Sequence, residues 1–351
     1  MIGLFTCTAY GQGETEVRSF MKSVSVNKES WLELTNKYGT MHITTWDKDS
    51  AFVRVELKAY GTSKEKLKKM FDGVSINFTE TKNLLKVQTN LSQNFNMIFE
   101  NFKGMTSKYF SYDSRIEINY FVNVPEYLKM KIENKYGDLF MEDSKSELSV
   151  SVSNGSFKAN SLGKGASLLL SFCDASINSL LSGSISASFS EVSIDEAGDV
   201  SINSTTSKYE IKKAGTLNIE SRRDKFFIDE AVSIKGSSYF SEYRIKRLTS
   251  EMTLSSKYGS IDADYIDKGF DSVNINSGYT DISLQFDENS SYSIDIRHLN
   301  AFLVLPSKNV KTEQKVINSE KKDYMTFGSY GEKPGNSKVK IDATRGNIYL
   351  K

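Results

Sequence analysis

The stretch Met130-Lys-Ile-Glu-Asn-Lys-Tyr-Gly-Asp-Leu-Phe-Met141 decides the fold, because close copies of it return along the chain. It recurs at Leu32-Glu-Leu-Thr-Asn-Lys-Tyr-Gly-Thr-Met-His-Ile43 and at Met252-Thr-Leu-Ser-Ser-Lys-Tyr-Gly-Ser-Ile-Asp-Ala263, with looser copies between. Each copy reads as an alternating apolar strand, a tight turn at Tyr-Gly, and a second short alternating strand. A single copy cannot bury its apolar side, whereas a stack of copies can.

Setting the second apolar residue of each copy in a column gives Ile132, Val150, Leu170, Ala187, Ile202, Ile219, Ile234, Leu254 and Ile275, spaced 15 to 21 residues apart. Seven residues further on stands another apolar or aromatic residue in nearly every copy: Leu139, Phe157, Ile177, Ile194, Tyr209, Phe226, Ile261 and Ile282. The copy at Ile234 breaks the count, since Ser241 falls there and Tyr243 and Ile245 follow it. This register predicts an all-β parallel β-helix, a β-solenoid of short coils. Neighbouring coils stack at ~4.8 Å and inward side chains form apolar ladders. A closing copy is expected at Val339 to Leu350, ending the stack.

The segments flanking the repeat read differently. Residues 24–125 form a β-rich part with one helix. There Val53, Val55, Leu57 and Ala59 alternate with charged residues. Thr62-Ser-Lys-Glu65 is a capping-box signature, Leu67, Met70 and Phe71 share a helical face, and Gly73 stands where a C-terminal cap belongs. Pro125 ends the last strand of this part. The solenoid repeats then occupy 126–300, a polar insertion or mobile loop 301–337, and the terminal coil 338–351. The Lys-rich run from Asn309 to Lys333 has no apolar period. Residues 1–11 read as the remnant of a secretory signal, with small residues before Gln12, so the protein is expected to be exported to the periplasm, cell surface or medium. No later stretch has the ~20 apolar residues that a bilayer span needs.

Composition narrows the function classes. Lys plus Arg number 45 against 44 for Asp plus Glu, and no polybasic block marks a nucleic-acid partner. Cys7 and Cys173 are too few and too far apart for a disulfide framework. His42 and His298 lack companions at ligand spacing, so no metal or other cofactor is expected. There is no nucleophile elbow, phosphate loop or calcium repeat. Asp174, Glu191, Arg223 and Asp224 fall at the turns, where an acidic-polysaccharide lyase or hydrolase built on a β-helix would carry its carboxylates and bases. Paired carboxylates need a separation that a sequence does not supply. At the turn itself stand Tyr38, Tyr136, Tyr258 and Tyr279. Such tyrosines either stack on sugars or anchor a protein interface, or cover the turn of the adjacent coil.

The order of these pieces resembles the bacterial putative adhesin family, from about Val24 to the C-terminus. The features that carry the resemblance are the opening coil Leu32 to Ile43, Trp46-Asp47, the Val53 to Ala59 strand, the capped helix, the Val122-Asn-Val-Pro125 stop and the Tyr-Gly coils. The Gly of the motif is replaced by Ala175, Val192, Ser207, Asp224 and Thr280 in other coils. The resemblance implies a parallel β-solenoid, export to the envelope or beyond, and a binding or structural role without catalytic residues. A non-enzymatic adhesin-like or envelope-scaffolding protein with a glycan or envelope-protein partner is the first expectation. A carbohydrate-active enzyme on the same scaffold, or an envelope stress-signalling component, is the alternative.

Overall fold

The computed structural model describes residues 14–92, 115–332 and 336–351. The expected signal remnant, Cys7 and most of the Asn- and Phe-rich piece after Asn90 lie outside them. Among the described residues the chain is nearly all strand with one short helix, and it divides between Ala166 and Ser167 into two compact units.

In the first unit, parallel strands form two ladders joined by corners. Leu84–Leu91, Trp31–Lys37, Lys129–Lys135 and the start of Leu148–Leu162 lie side by side in one ladder. Arg115–Val124, Met41–Thr45, Leu139–Met141 and the end of Leu148–Leu162 form the other. Leu34, Ile132 and Val150 share one inward rung column, and Met41, Leu139 and Phe157 another; all six are essentially buried. Antiparallel strands cover the end of this stack. Ser50–Gly61 pairs with Arg115–Val124 on one side and Glu14–Ser25 on the other. The helix Lys64–Asp72 buries Leu67 and Phe71. Its N-cap is Ser63, one residue later than the capping-box reading, because the Ser63 hydroxyl accepts from the Lys66 amide while Glu65 pairs with Lys69.

The second unit is a stack of parallel coils running through Glu191–Thr205, Lys208–Arg222, Lys225–Tyr239, Glu242–Ile266 and Ser272–Phe286. The aligned inward residues are Ile185, Ile202, Ile219, Gly236, Leu254 and Ile275. Two column members expected from sequence are therefore displaced: Ala187 pairs with Ser204, and Ile234 with Leu217. Each stands two residues from the true partner. A two-residue slip keeps a side chain on the same face, so alternation alone cannot detect it. The irregular copy has a local cause as well. A register shift lies between Ala231 and Ser233, three residues before Gly236, whose added Cβ would lie 1.8 Å from the Ile219 carbonyl oxygen.

The last copy does not close the stack. Ser337–Thr344 runs parallel between Ser272–Phe286 and Tyr292–Leu299, one coil in from the end. The outer cover is antiparallel. Asp323–Tyr330 pairs with Tyr292–Leu299, and Val310–Asn318 pairs with Asp323–Tyr330. The Lys-rich segment that lacks an apolar period is thus largely a hairpin. Its outer strand is exposed along almost its whole length, so it has no inward face to write as alternation, and its lysines suit an unpaired sheet edge.

Candidate functional site

The corner between the two strands of a coil is the most regular feature outside the core. Tyr38, Tyr136 and Asn154 in the first unit have φ between 56° and 65°. In the second unit Phe172, Phe189, Thr206, Arg223, Phe240, Tyr258, Tyr279 and Arg345 have φ between 49° and 60°. The left-handed residue of the Tyr-Gly turn is therefore the residue before the glycine. Glycine serves a different need there, which is close approach. A Cβ on Gly137 would lie 1.9 Å from the Gly39 oxygen, and one on Gly155 2.1 Å from the Gly137 oxygen. The preceding Asn is structural too. Asn36 and Asn134 are buried, and their side-chain amides donate to the Ile118 carbonyl of the strand Arg115–Val124 and the Gly39 carbonyl of the adjacent corner at 2.8 and 3.1 Å.

In the second unit a polar ladder takes over the glycine position, at Cys173, Ser190, Ser207, Asp224 and Ser241; Ala175 and Val192 fall two residues beyond it. The Cys173 amide donates to Ser190 Oγ at 3.1 Å, that of Ser190 to Ser207 Oγ at 3.2 Å, and that of Asp224 to Ser241 Oγ at 3.2 Å, each 17 residues apart. Asp224 is 1% exposed, and burial pushes its carboxyl above the ordinary value, opposed by donors from Ser221, Ser207 and Arg222. Arg223, by contrast, points to solvent.

These positions separate the four residues that an enzyme would need together. Asp174 and Glu191 are exposed and in register, but the same column continues as Lys208, Lys225 and Glu242. Asp224 belongs to the inward column. Neither histidine is gathered with metal-binding companions. His42 is stacked between Phe121 and Phe140 at 5.5 and 5.0 Å, and His298 is buried with Nδ1 3.1 Å from the Ala301 oxygen. Among the described residues no cluster of three or more His, Cys, Asp or Glu could hold a metal, and no helix is long and apolar enough to cross a membrane. A shallow depression of about 300 Å³ above Gly236 is lined by Ser186, Asn203, Glu220 and Lys235, a solvent-facing polar strand surface.

The tyrosines do come together, as two pairs within separate units. Tyr38 and Tyr136 stack with centroids 5.3 Å apart, and Lys37 Nζ lies 4.8 Å from the Tyr38 centroid. Tyr258 and Tyr279 stack at 4.9 Å. Phe240 extends the second pair, 5.0 Å from Tyr258, with Tyr239 edge-on at 4.5 Å. A further pair, Phe172 and Phe189, stacks at 5.0 Å within 3° of parallel. The phenylalanines escape a search for Tyr-Gly because their copies read Phe-Cys and Phe-Ser. Their signal was the constant interval of 17 residues from Phe172 to Phe240. Each stacked pair contributes ~0.5 to 1.5 kcal/mol beyond its buried area, so the rings brace the corners. They also remain exposed: 59% for Phe172, 54% for Phe189, 45% for Phe240, 39% for Tyr258 and 46% for Tyr279.

No family model matches the chain, and no curated protein matches it. Among solved structures it is similar to a "putative cell adhesion protein" from Clostridium sporogenes, at 11% identity over 96% of this chain and 100% of that one, TM-score 0.22. It is also similar to a "putative adhesin" from Bacteroides fragilis, at 10% identity over 95% and 97%, TM-score 0.22. A "putative adhesin" from Parabacteroides distasonis matches at 9% identity over 76% and 93%, TM-score 0.26. Likeness this distant leaves the corner geometry itself as the ground for a functional reading.

Proposed function

We propose that the protein is an exported, non-enzymatic, adhesin-like binding protein that makes contact with a surface glycan through the corner ridge of its coils. The observation that carries this reading is the ridge Phe240, Tyr258 and Tyr279, stacked in successive coils yet 45%, 39% and 46% exposed. Large exposed rings held in one line on a rigid scaffold supply contact area at low entropic cost. Tyr258 and Tyr279 add phenolic hydroxyls, the second held by Arg345 Nη1 at 2.6 Å. The same scaffold offers a hydrolytic enzyme little, since Asp224 is turned inward and the outward acids Asp174 and Glu191 give way to Lys208 and Lys225 in the next two coils.

A glycan array tests the proposal with wild-type protein and the triple variant Phe240→Asn, Tyr258→Asn, Tyr279→Asn. Asn is chosen because it tolerates the left-handed corner. The wild type is expected to be retained on defined glycans and the variant to lose that retention while keeping a cooperative melt. Equal retention of both proteins, or absence of retention by the wild type, overturns the proposal. Release of reducing ends from any polysaccharide would establish the enzymatic alternative instead.

A further inference from the structure

We infer that the interruption of the aromatic ladder, between Phe189 and Phe240, is a binding site for a carboxylate-bearing sugar residue of an acidic glycan. The inference rests on the corner edge being a contact surface, and it places a second, chemically distinct site there. Phe189 stacks on Phe172, and the next corner residue is Thr206. Phe240 stacks on Tyr258, and the corner before it is Arg223, whose guanidinium carbon lies 5.9 Å from the Phe240 centroid. Three coil spacings separate the two phenylalanines, ~14 Å, with two ringless corners between them. That gap, walled at one end by the Phe189 ring and at the other by the Arg223 guanidinium lying over Phe240, accommodates a pyranose ring.

The floor of the gap is cationic. Arg222 and Arg223 are both exposed, and among the described residues neither guanidinium is ion-paired with a carboxylate. Lys208 and Lys225 stand two residues beyond the corners of the same two coils, at 2.6 Å from Glu210 and 3.7 Å from Glu242 respectively. The backbone that presents the two arginines is anchored from inside, since Asp224 Oδ2 accepts from the Arg222 amide at 3.1 Å and from Ser221 Oγ at 2.7 Å. Anchoring of this kind lowers the ordering cost of binding. A guanidinium fork pairs two oxygens of a carboxylate, and an aromatic wall takes the C–H face of a sugar ring. The two features together select an acidic sugar over a neutral one.

A nucleic-acid strand fits less well. The basic column is two coils wide, bounded by Asp174 and Glu191 on one side and Glu242 on the other, so a nucleic-acid backbone running along the stack would meet acids within ~10 Å.

The test is calorimetric titration of the full chain with tetragalacturonate and with its fully methyl-esterified form, which has the same rings without the charge. Wild type is expected to bind the acid at least about tenfold more tightly than the ester. Arg222→Gln with Arg223→Gln is expected to remove that preference, as loss of a charge-assisted hydrogen bond corresponds to about tenfold or more. Both side chains are solvent-facing, so an unchanged melting temperature will certify the fold. The Tyr258→Asn, Tyr279→Asn variant is expected to keep the preference. Equal affinity for acid and ester, an unchanged preference in the arginine variant, or tighter binding of oligo-dT than of tetragalacturonate overturns the inference. If the ridge variant alone loses glycan retention, the corner surface stands and this site fails; if the arginine variant alone loses acid binding, this site stands without the ridge.

Discussion

The backbone amide of Ser207 donates to Asp224 Oδ1 at 2.7 Å, across two adjacent coils and from one corner to the next. Every neighbouring corner in this part of the stack makes the same bond with a serine hydroxyl, so Asp224 is a charged residue in a column built for neutral ones.

A pH dependence follows from that substitution. Burial raises the Asp224 pKa in the folded state above its ordinary 3.8, so the native protein binds this proton more tightly than the unfolded chain does. Its contribution is unfavourable at neutral pH and is relieved as pH falls through the raised folded value. Asp224→Ser removes the term. Urea titrations should therefore show wild type gaining stability relative to the variant as pH is lowered toward 4, and parallel curves for the two proteins would refute the assignment.

Gly137→Ala should destabilise the first unit by about 3 kcal/mol or more, because the methyl group would stand 1.9 Å from the Gly39 oxygen and both atoms belong to backbone fixed by neighbouring coils. Among the described residues Gly278 faces no backbone within 4 Å, its nearest neighbour being Lys257 Cγ at 3.6 Å. Gly278→Ala should cost far less, and thermal melts of the two variants make the comparison.

Thr206 is a β-branched residue held at φ 54°, a region that branched side chains rarely adopt. Thr206→Asn should raise stability by about 1 kcal/mol, since Asn visits this region readily. A lower melting temperature in the variant would show that the threonine makes a compensating contact.

Ile219 is 1% exposed between Ile202 and Gly236 in the middle of the second unit. Ile219→Asp buries an unpaired charge and leaves a gap in two directions at once. The expected cost, about 5 kcal/mol or more, is comparable with the whole stability of a typical domain, so cooperative unfolding of this unit should disappear from a denaturation profile. A variant melting within a few degrees of wild type would mean that Ile219 is not an inward residue.

The sequence by itself determined the coil. Alternation with a period of two states which side of a strand is buried, and the recurrence of Asn-Lys-Tyr-Gly states that a corner follows; both are local properties of a few consecutive residues. The all-β solenoid, the inward side of nearly every strand and the outward tyrosines were legible for that reason. Tertiary structure alone decided what depends on partners. It set Ile185 rather than Ala187, and Gly236 rather than Ile234, beside their neighbours, because a slip of two residues preserves the buried face. It threaded Ser337–Thr344 one coil in from the end, because parallel pairing between segments distant in the chain leaves no mark on either one. It turned Asp224 inward and left Arg223 outside, because a corner reverses the alternation on which any reading of sides depends. The aromatic ladder and the cationic gap in it became visible only when that corner register was known.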